Sequence, residues 1–294
     1  MNSALGQRLP NAMTPQQYVE DKAAKSGSSF YYAFLFVPLA KRQWLKAFYA
    51  FCREVDDVVD ESLEPSVAAA KLAWWRGEVS AAFAGHPSHP VMQALMPQAS
   101  HYGVIEAHVQ AVIAGCQMDL DQSRYLDYAG LQHYCELVAG MVGEVTARVF
   151  GHSADSTLAY AHRLGLALQL TNIIRDIGDD ARRGRIYLPL SELKQFEVKP
   201  AELLMREAPW GYSPRFAALM RFQAARAHRC YDEALALLPE ADRPAQKVGL
   251  MMANIYRALL REIEADNFAV LHQRTSLTPL RKLWIGMLTH WRGR

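Results

Sequence analysis

The sequence predicts a single all-α domain, and three observations support this. Apolar residues recur at three- and four-residue spacing along most of the 294 residues, as helices with one buried face require. No stretch shows the alternation of β-branched residues that is typical of a strand. Hydrophobic residues make up 51% of the chain, which is enough to build one large core.

The predicted helices follow one another with short breaks. The first begins at Thr14-Pro15, an N-cap followed by proline at the first helical position, and ends near Lys25. A long helix from Lys41 to Val59 comes next. Its buried face is marked by Leu45, Phe48, Tyr49 and Cys52. Further helices are predicted at 66–84, 90–99, 104–120, 130–150, 155–177, 213–238 and 243–265. We expect a flexible N-terminus over 1–13, the domain over 14–271 and a basic amphipathic tail over 272–294.

Composition and charge exclude several classes of function. The formal net charge of +2 and the lack of a dense basic block argue against a nucleic-acid partner. The N-terminus has no signal-peptide pattern, and no apolar run is long enough to span a bilayer. The sequence therefore predicts a cytoplasmic protein.

The first motif that carries chemistry is an acidic cluster at the end of the long early helix. Asp56 and Asp60 are four residues apart, so their carboxylates share one helix face. Asp57 lies beside that face. Arg53 precedes Asp56 by three residues, and Tyr49 precedes Arg53 by four.

The second cluster lies inside another apolar helix. Asn172, Asp176 and Asp180 again share a face at successive spacings of four, and Arg175 precedes Asp176. Oxygen ligands with no neighbouring histidine or cysteine favour a hard cation such as Mg²⁺. An adjacent guanidinium suits bidentate binding of phosphate oxygens. Two such clusters predict a magnesium-dependent diphosphate site.

These motifs resemble those of the trans-isoprenyl diphosphate synthases of the squalene/phytoene synthase group. The resemblance runs from about Ser26 to at least Asp266. Residues 49–60, YAFCREVDDVVD, are similar to the group's first aspartate-rich motif, and residues 169–180, QLTNIIRDIGDD, to its second, which is followed by RGRIYLP at 183–189. The resemblance implies the isoprenoid synthase fold, in which helices surround a central apolar cavity.

The resemblance also implies roles for individual residues. Two to three Mg²⁺ ions would be held by Asp56, Asp60, Asn172, Asp176 and Asp180. The diphosphates and their pocket would involve Ser29, Phe30, Tyr49, Arg53, Gln169, Asn172, Arg175 and Tyr256. Catalysis would rest on the four motif aspartates (Asp56, Asp60, Asp176 and Asp180) together with Arg53, Arg175 and Tyr49.

Within the group, the chain most resembles the bacterial hopanoid-pathway enzymes that join two farnesyl diphosphates into presqualene diphosphate. This implies no nicotinamide cofactor for that step. The alternatives are phytoene synthase, which uses two geranylgeranyl diphosphates, and dehydrosqualene or squalene synthase. An alternative of another class is a non-catalytic helical scaffold derived from such an enzyme.

Two segments allow two interpretations each. The glycines of residues 140–144 either let prenyl chains approach the backbone or let two helices pack closely. Residues 280–294 form a basic amphipathic segment with two tryptophans, which either packs on the domain or lies on the inner face of the plasma membrane.

Overall fold

The computed structural model describes residues 13–25, 36–62, 64–204 and 213–292. These residues form α-helices joined by short connections, which confirms the predicted all-α class. The α-helices are α1 (Pro15–Lys25), α2 (Leu39–Glu61), α3 (Pro65–Phe83), α4 (Pro90–Ala99), α5 (Glu106–Asp121), α6 (Tyr128–Cys135), α7 (Met141–Phe150), α8 (Asp155–Arg182), α9 (Leu190–Gln195), α10 (Pro214–Leu237), α11 (Lys247–Ala265) and α12 (Pro279–Arg292). Across these ranges no helix combines the length and apolar character needed to cross a membrane.

The structure differs from the sequence prediction at several helix bounds and connections. Helix α8 continues to Arg182, beyond the expected end at 177, and α11 begins at Lys247 instead of at 243. The helix expected over 130–150 is α6 and α7 joined by a π-helical turn, Glu136–Gly140. A π turn keeps the chain helical and inserts one residue per turn, so periodicity alone does not detect it. Helix α9 was not predicted because its six residues are too few to display a helical period.

Helix α8 is the centre of the bundle. It packs against α10, α7, α11 and the π turn. Apolar residues are therefore buried on several of its sides, namely Leu164, Leu166, Leu170, Ile173, Ile174 and Ile177. A helix that is apolar nearly all round is expected in the middle of a core. Its last three turns carry the second acidic motif.

Glycines allow α7 and the π turn to lie directly on α8. A Cβ atom at Gly165 would overlap the carbonyl of Ala139, and one at Gly143 would overlap the carbonyl of Ala161. Close helix packing therefore accounts for Gly143, although this residue also borders a cavity between the helices. Gly143 therefore fits both interpretations of residues 140–144: it lets two helices pack closely, and it lines the cavity.

A buried ion pair fixes the connection that follows α8. Glu192 of α9 accepts hydrogen bonds from Arg226 Nη1 at 3.0 Å and from Gln223 Nε2 at 2.6 Å, both on α10. All three side chains are buried. Because the pair ties α9 to α10, it also fixes the position of the 183–189 segment that leads into α9.

The segment after α11 returns to α8 through another close contact. Gly178 lies so near Leu271 that a Cβ atom would overlap the Leu271 backbone. Arg182 Nη1 donates to the Leu271 carbonyl at 2.7 Å. This contact brings residues 272–278 beside the second acidic motif.

We expect Gly165→Ala to lower the free energy of unfolding by about 1–3 kcal/mol, because the added methyl group forces the π turn and α8 apart. Gly77→Ala is the matched control, since Gly77 is exposed in the middle of α3 with no atom near its missing Cβ. That change should raise stability by roughly 0.5–1 kcal/mol. Urea unfolding followed by circular dichroism measures both. Equal effects of the two substitutions would contradict the close helix contact.

Candidate active site

The first acidic motif occupies the last turns of α2. Arg53 Nη1 lies 2.6 Å from Asp56 Oδ2, and the other guanidinium nitrogen of Arg53 contacts Asp57. Tyr49 is one turn earlier on the same helix and interacts electrostatically with Arg53. Tyr49, Arg53 and Asp56 therefore share one helix face, as their spacing predicted. The guanidinium of Arg53 lies between the carboxylates of Asp56 and Asp57.

Helix α1 supports this motif from behind. Lys22 Nζ lies 2.9 Å from Asp57 and 3.2 Å from Glu54, and Tyr18 Oη donates to Glu54 at 2.6 Å. Asp57 is thus engaged by Lys22 and Arg53. This contact gives Asp57 a positioning role towards Arg53 and leaves Asp56 and Asp60 facing the site.

The second motif forms the corresponding face of α8. Arg175 Nε donates to Asp176 Oδ1 at 2.7 Å. Arg274, from the segment after α11, donates to the same oxygen at 2.8 Å. Burial alone would raise the pKa of Asp176, but the hydrogen bonds from the two arginines lower it below its usual value. Arg175 also hydrogen-bonds Tyr256 of α11.

The 183–189 segment links the two motifs. Arg185 Nη1 donates to Asp60 Oδ1 at 2.7 Å, and Arg183 Nη1 donates to Asp60 Oδ2 at 3.3 Å. The backbone N–H of Arg185 donates to the Asp180 carbonyl at 2.9 Å. Burial raises the pKa of the Asp180 carboxyl, and the charges of both arginines offset only part of that rise. The end of α2 and the end of α8 therefore meet across this segment.

A third helix contributes a carboxylate that the sequence analysis did not assign to the site. Asp119 of α5 accepts hydrogen bonds from Tyr187 Oη at 2.8 Å and Tyr134 Oη at 2.9 Å. Burial raises the pKa of Asp119, and the charge of Asp60 raises it further. Asp119 in turn raises the pKa values of Asp56 and Asp180. It is thus electrostatically coupled to both motifs.

The site holds more negative charge than its surroundings stabilise. Burial, reinforced by the charge of Asp60, raises the pKa of Asp56 to about 6. Burial, reinforced by Asp176, raises the pKa of Asp180 to about 7. Carboxyl groups with raised pKa values in one cleft are typical of functional sites. An added cation would favour their ionised forms.

The donor set fits a divalent metal ion. Asn172 Oδ1 is buried on the same face of α8 and has no hydrogen-bond partner among the described residues, while its Nδ2 donates to Gln169 at 3.2 Å. Carboxylate and amide oxygens are the ligands of hard divalent cations. In the described ranges no three acidic, histidine or cysteine side chains already converge as a ligand set. Asp60 and Asp176 are instead paired with arginines, so a bound metal ion would replace these arginine contacts.

An apolar cavity of about 150 Å³ begins beside these residues. It lies between α7, α8 and α11, with Gln169, Asn172 and Tyr256 at the end near the acidic motifs. Its walls are mainly apolar, formed by Val138, Val142, Phe150, Leu164, Leu168, Val248 and Met252 among others. A polar site opening into an apolar cavity suits a ligand with a charged head and a hydrocarbon chain.

Most of the predicted site residues therefore lie together. Tyr49, Arg53, Asp56 and Asp60 come from α2, and Gln169, Asn172, Arg175, Asp176 and Asp180 come from α8. Tyr256 comes from α11. Ser29 and Phe30 lie outside the described residues.

Sequence reasoning missed several charged groups near the site. Asp119, Arg185, Arg274 and Lys282 were given no role in the site, although Arg185 belongs to the RGRIYLP run that follows the second motif and Lys282 to the amphipathic segment 280–294. Burial lowers the pKa of Lys282, and the nearby charges of Arg175 and Arg274 lower it further. The one available signal was the concentration of arginines at 182–185, directly after an acidic cluster.

Comparisons with known proteins agree with this arrangement. Phytoene synthase from Arthrospira platensis is 36% identical over 287 residues, covering 92% of this chain and 91% of that protein. Phytoene synthase from Mycobacterium tuberculosis is 36% identical over 256 residues, covering 86% of this chain and 83% of that protein.

Solved structures of related enzymes have the same fold. A dehydrosqualene synthase bound to a ligand superposes with a TM-score of 0.82 at 28% identity, covering 95% of this chain and 96% of that one. Squalene synthase HpnC from Alicyclobacillus acidocaldarius superposes with a TM-score of 0.77 at 26% identity, covering 86% of this chain and 94% of that one. The sequence model of squalene/phytoene synthase matches residues 23–281. The chain therefore belongs to the squalene/phytoene synthase family, as its aspartate-rich motifs predicted.

Proposed function

We propose that this chain condenses two molecules of farnesyl diphosphate head to head (1′-1) into presqualene diphosphate, with release of one diphosphate, as a step towards squalene and hopanoids. Members of its family are prenyltransferases that act on prenyl diphosphates and use divalent metal ions. The observation that carries the proposal is the pair of acidic motifs, with their arginines, at one end of an apolar cavity.

The polar end of the site supplies the groups that bind the diphosphates. Mg²⁺ ions would be held by Asp56, Asp60, Asn172, Asp176 and Asp180, and when bound they supply positive charge to the leaving diphosphate. The chain's own cations at this end are Arg53, Arg175, Arg183, Arg185, Arg274 and Lys282. Tyr256 bonds to Arg175 and so orients a guanidinium towards phosphate oxygens.

In the proposed reaction, the donor loses its diphosphate and becomes an allylic cation. The C2–C3 double bond of the acceptor attacks C1 of that cation. The released diphosphate then takes a proton from C1 of the former donor, the electrons of that C–H bond close the cyclopropane, and the acceptor keeps its own diphosphate. The charged groups stabilise the departing anion, while the apolar walls of the cavity exclude water from the cation. No step needs a nicotinamide.

The length of the cavity supports a farnesyl substrate. It borders α8 from Asn172 to Tyr160, a separation of twelve residues, or about 18 Å at roughly 1.5 Å per residue. One helical turn advances about 5.4 Å, which is close to the length of one extended isoprene unit. Three units therefore fit between these residues.

Phytoene synthase is the second candidate. It is favoured by the names of the two 36% identical relatives, both called phytoene synthase, whereas the superposed structures are called dehydrosqualene synthase and squalene synthase. The diphosphate machinery would be the same, and only the hydrocarbon end of the site would differ. A non-catalytic scaffold would not need the five proposed metal ligands, all of which are present.

A product assay separates these candidates. Purified protein with Mg²⁺ and farnesyl diphosphate, without NADPH, should give a cyclopropyl C30 monodiphosphate detected by mass spectrometry. A C30 hydrocarbon under these conditions would indicate dehydrosqualene synthesis instead, and C30 hydrocarbon only with NADPH would indicate squalene synthesis. Phytoene from geranylgeranyl diphosphate alone would identify a phytoene synthase. Absence of any condensation would support the scaffold.

We expect Asp56→Asn and Asp176→Asn each to lower the rate of condensation by about 10²–10³-fold, because each removes a charge that the proposed metal ions need. Chelation of divalent ions with EDTA should abolish product formation, and added Mg²⁺ should restore it. Asp232→Asn is the matched control, since Asp232 is exposed on α10 and pairs with Arg257 at 2.9 Å. Full activity of both motif variants would contradict the proposed role.

We also propose that the enzyme is cytoplasmic and rests on the inner face of the plasma membrane through α12. One side of this helix packs on the domain: Gly286 lies against Phe36 and Met251, and Asn254 donates to Thr289 at 2.9 Å. The opposite side exposes large apolar residues at helical spacing, namely Leu280, Trp284, Met287 and Trp291. Arg281 lies beside this stripe, whereas Lys282 lies on the side that packs on the domain, near Arg175 and Arg274. Such a basic amphipathic surface suits an anionic bilayer.

The double variant Leu280→Gln with Trp284→Gln should lower co-sedimentation with phosphatidylglycerol vesicles at least about fivefold, because it removes apolar area from the proposed contact. The control variant carries Leu126→Gln with Trp74→Gln, two comparably exposed residues elsewhere on the surface. Binding should also weaken with added salt. Equal binding by both double variants would contradict the role of α12.

A further inference from the structure

The far end of the cavity is closed by a small group of residues from three elements. Phe150 ends α7, Tyr160 lies near the beginning of α8, and Gln246 and Gly249 lie at the beginning of α11. All four border the cavity. They lie opposite the end that carries Asn172 and Tyr256, so they form the floor on which the tail of a bound chain would rest.

Tyr160 contributes the largest side chain of this floor. Its exposed fraction is 1%, and burial raises the pKa of its hydroxyl above the usual value, so the phenol stays neutral. The hydroxyl is buried and has no hydrogen-bond partner among the described residues. Within the described residues the hydroxyl of Tyr160 therefore makes no hydrogen bond, and the side chain affects the cavity through the bulk of its ring.

Glycine at position 249 makes room for the ring. A Cβ atom on Gly249 would lie 2.7 Å from Tyr160 Oη, closer than such atoms approach. The phenol thus reaches across to the backbone of α11 at this level. Tyr160 and Gly249 together close the gap between α8 and α11.

Gln246 fixes the rest of the floor. Its side chain is buried, and its Nε2 donates to the carbonyls of Gly151 at 2.9 Å and Ala147 at 3.2 Å. These bonds tie the beginning of α11 to the end of α7. Because the surrounding backbone is held in this way, the floor cannot recede to accept a longer chain without breaking hydrogen bonds.

We propose that the ring of Tyr160 determines the chain length of the prenyl substrate, limiting it to three isoprene units. This inference rests on the proposed function, since it assumes that the cavity holds a prenyl chain whose diphosphate lies at Asn172. Geranylgeranyl diphosphate is longer by one isoprene unit, which is smaller than the phenol ring. Replacing Tyr160 by alanine opens space for that unit at the floor.

The test compares the wild-type protein with Tyr160→Ala, Tyr160→Leu and Tyr160→Phe. Each is incubated with Mg²⁺ and an equimolar mixture of farnesyl and geranylgeranyl diphosphates, and the products are separated by chain length. Tyr160→Ala should raise the ratio of C40 to C30 product at least about tenfold, the usual scale of discrimination by pocket size. Tyr160→Phe keeps the ring and should leave the ratio unchanged. Thermal melts establish that each variant folds, and Tyr160→Leu gives the answer if Tyr160→Ala does not fold.

A binding measurement separates this inference from the proposed function. Calorimetry with the unreactive thiolodiphosphate analogues of both substrates needs no turnover. If no protein condenses either substrate, the proposed function fails. The floor is then still supported if Tyr160→Ala, or Tyr160→Leu in its place, gains at least about tenfold in relative affinity for the C20 analogue. An unchanged ratio in folded Tyr160→Ala, or in Tyr160→Leu in its place, overturns the inference, as does a wild-type protein that prefers the C20 substrate or analogue.

Discussion

Repulsion among carboxylates at one end of the bundle is the constraint on which the rest of this site depends. Asp56 and Asp60 from α2, Asp119 from α5, and Asp176 and Asp180 from α8 interact electrostatically within one region. Burial makes this repulsion stronger than it would be in water. The chain stabilises the region with arginines that bind Asp56, Asp60 and Asp176 directly.

This arrangement assigns different tasks to neighbouring aspartates. Asp57 is turned towards Lys22 and Arg53, so its charge is already compensated within the protein. Asp180 has a pKa raised to about 7, and its neighbours compensate its charge least. The partnerless Oδ1 of Asn172 lies on the same helix face within the described part of the chain. We therefore expect a cation to bind most readily around Asn172 and Asp180, and we propose a structural role for Asp57.

The features that depend on local spacing could be predicted from the sequence alone. Residues four apart share a helix face, and this rule correctly placed Asp56 with Asp60, and Asp176 with Asp180. Asp119 could not be placed in this way, because its partners Tyr134 and Tyr187 come from distant segments. The arginines that follow α8 and α11 reach the motifs through contacts over 125 and 98 residues of chain. Such contacts depend on tertiary packing, which the helical periodicity of the sequence does not reveal.

Helix α12 connects the polar end of the site with the outer surface. Burial lowers the pKa of Lys282, and the charges of Arg175 and Arg274 lower it further, so this lysine adds positive charge where the second motif binds its arginines. Two residues later on the same helix, Trp284 is 57% exposed. One short helix thus carries both a cation near the second motif and the exposed apolar stripe. A bilayer in contact with that stripe would lie close to the charged end of the cavity, which is where an amphiphilic substrate must enter head and tail together.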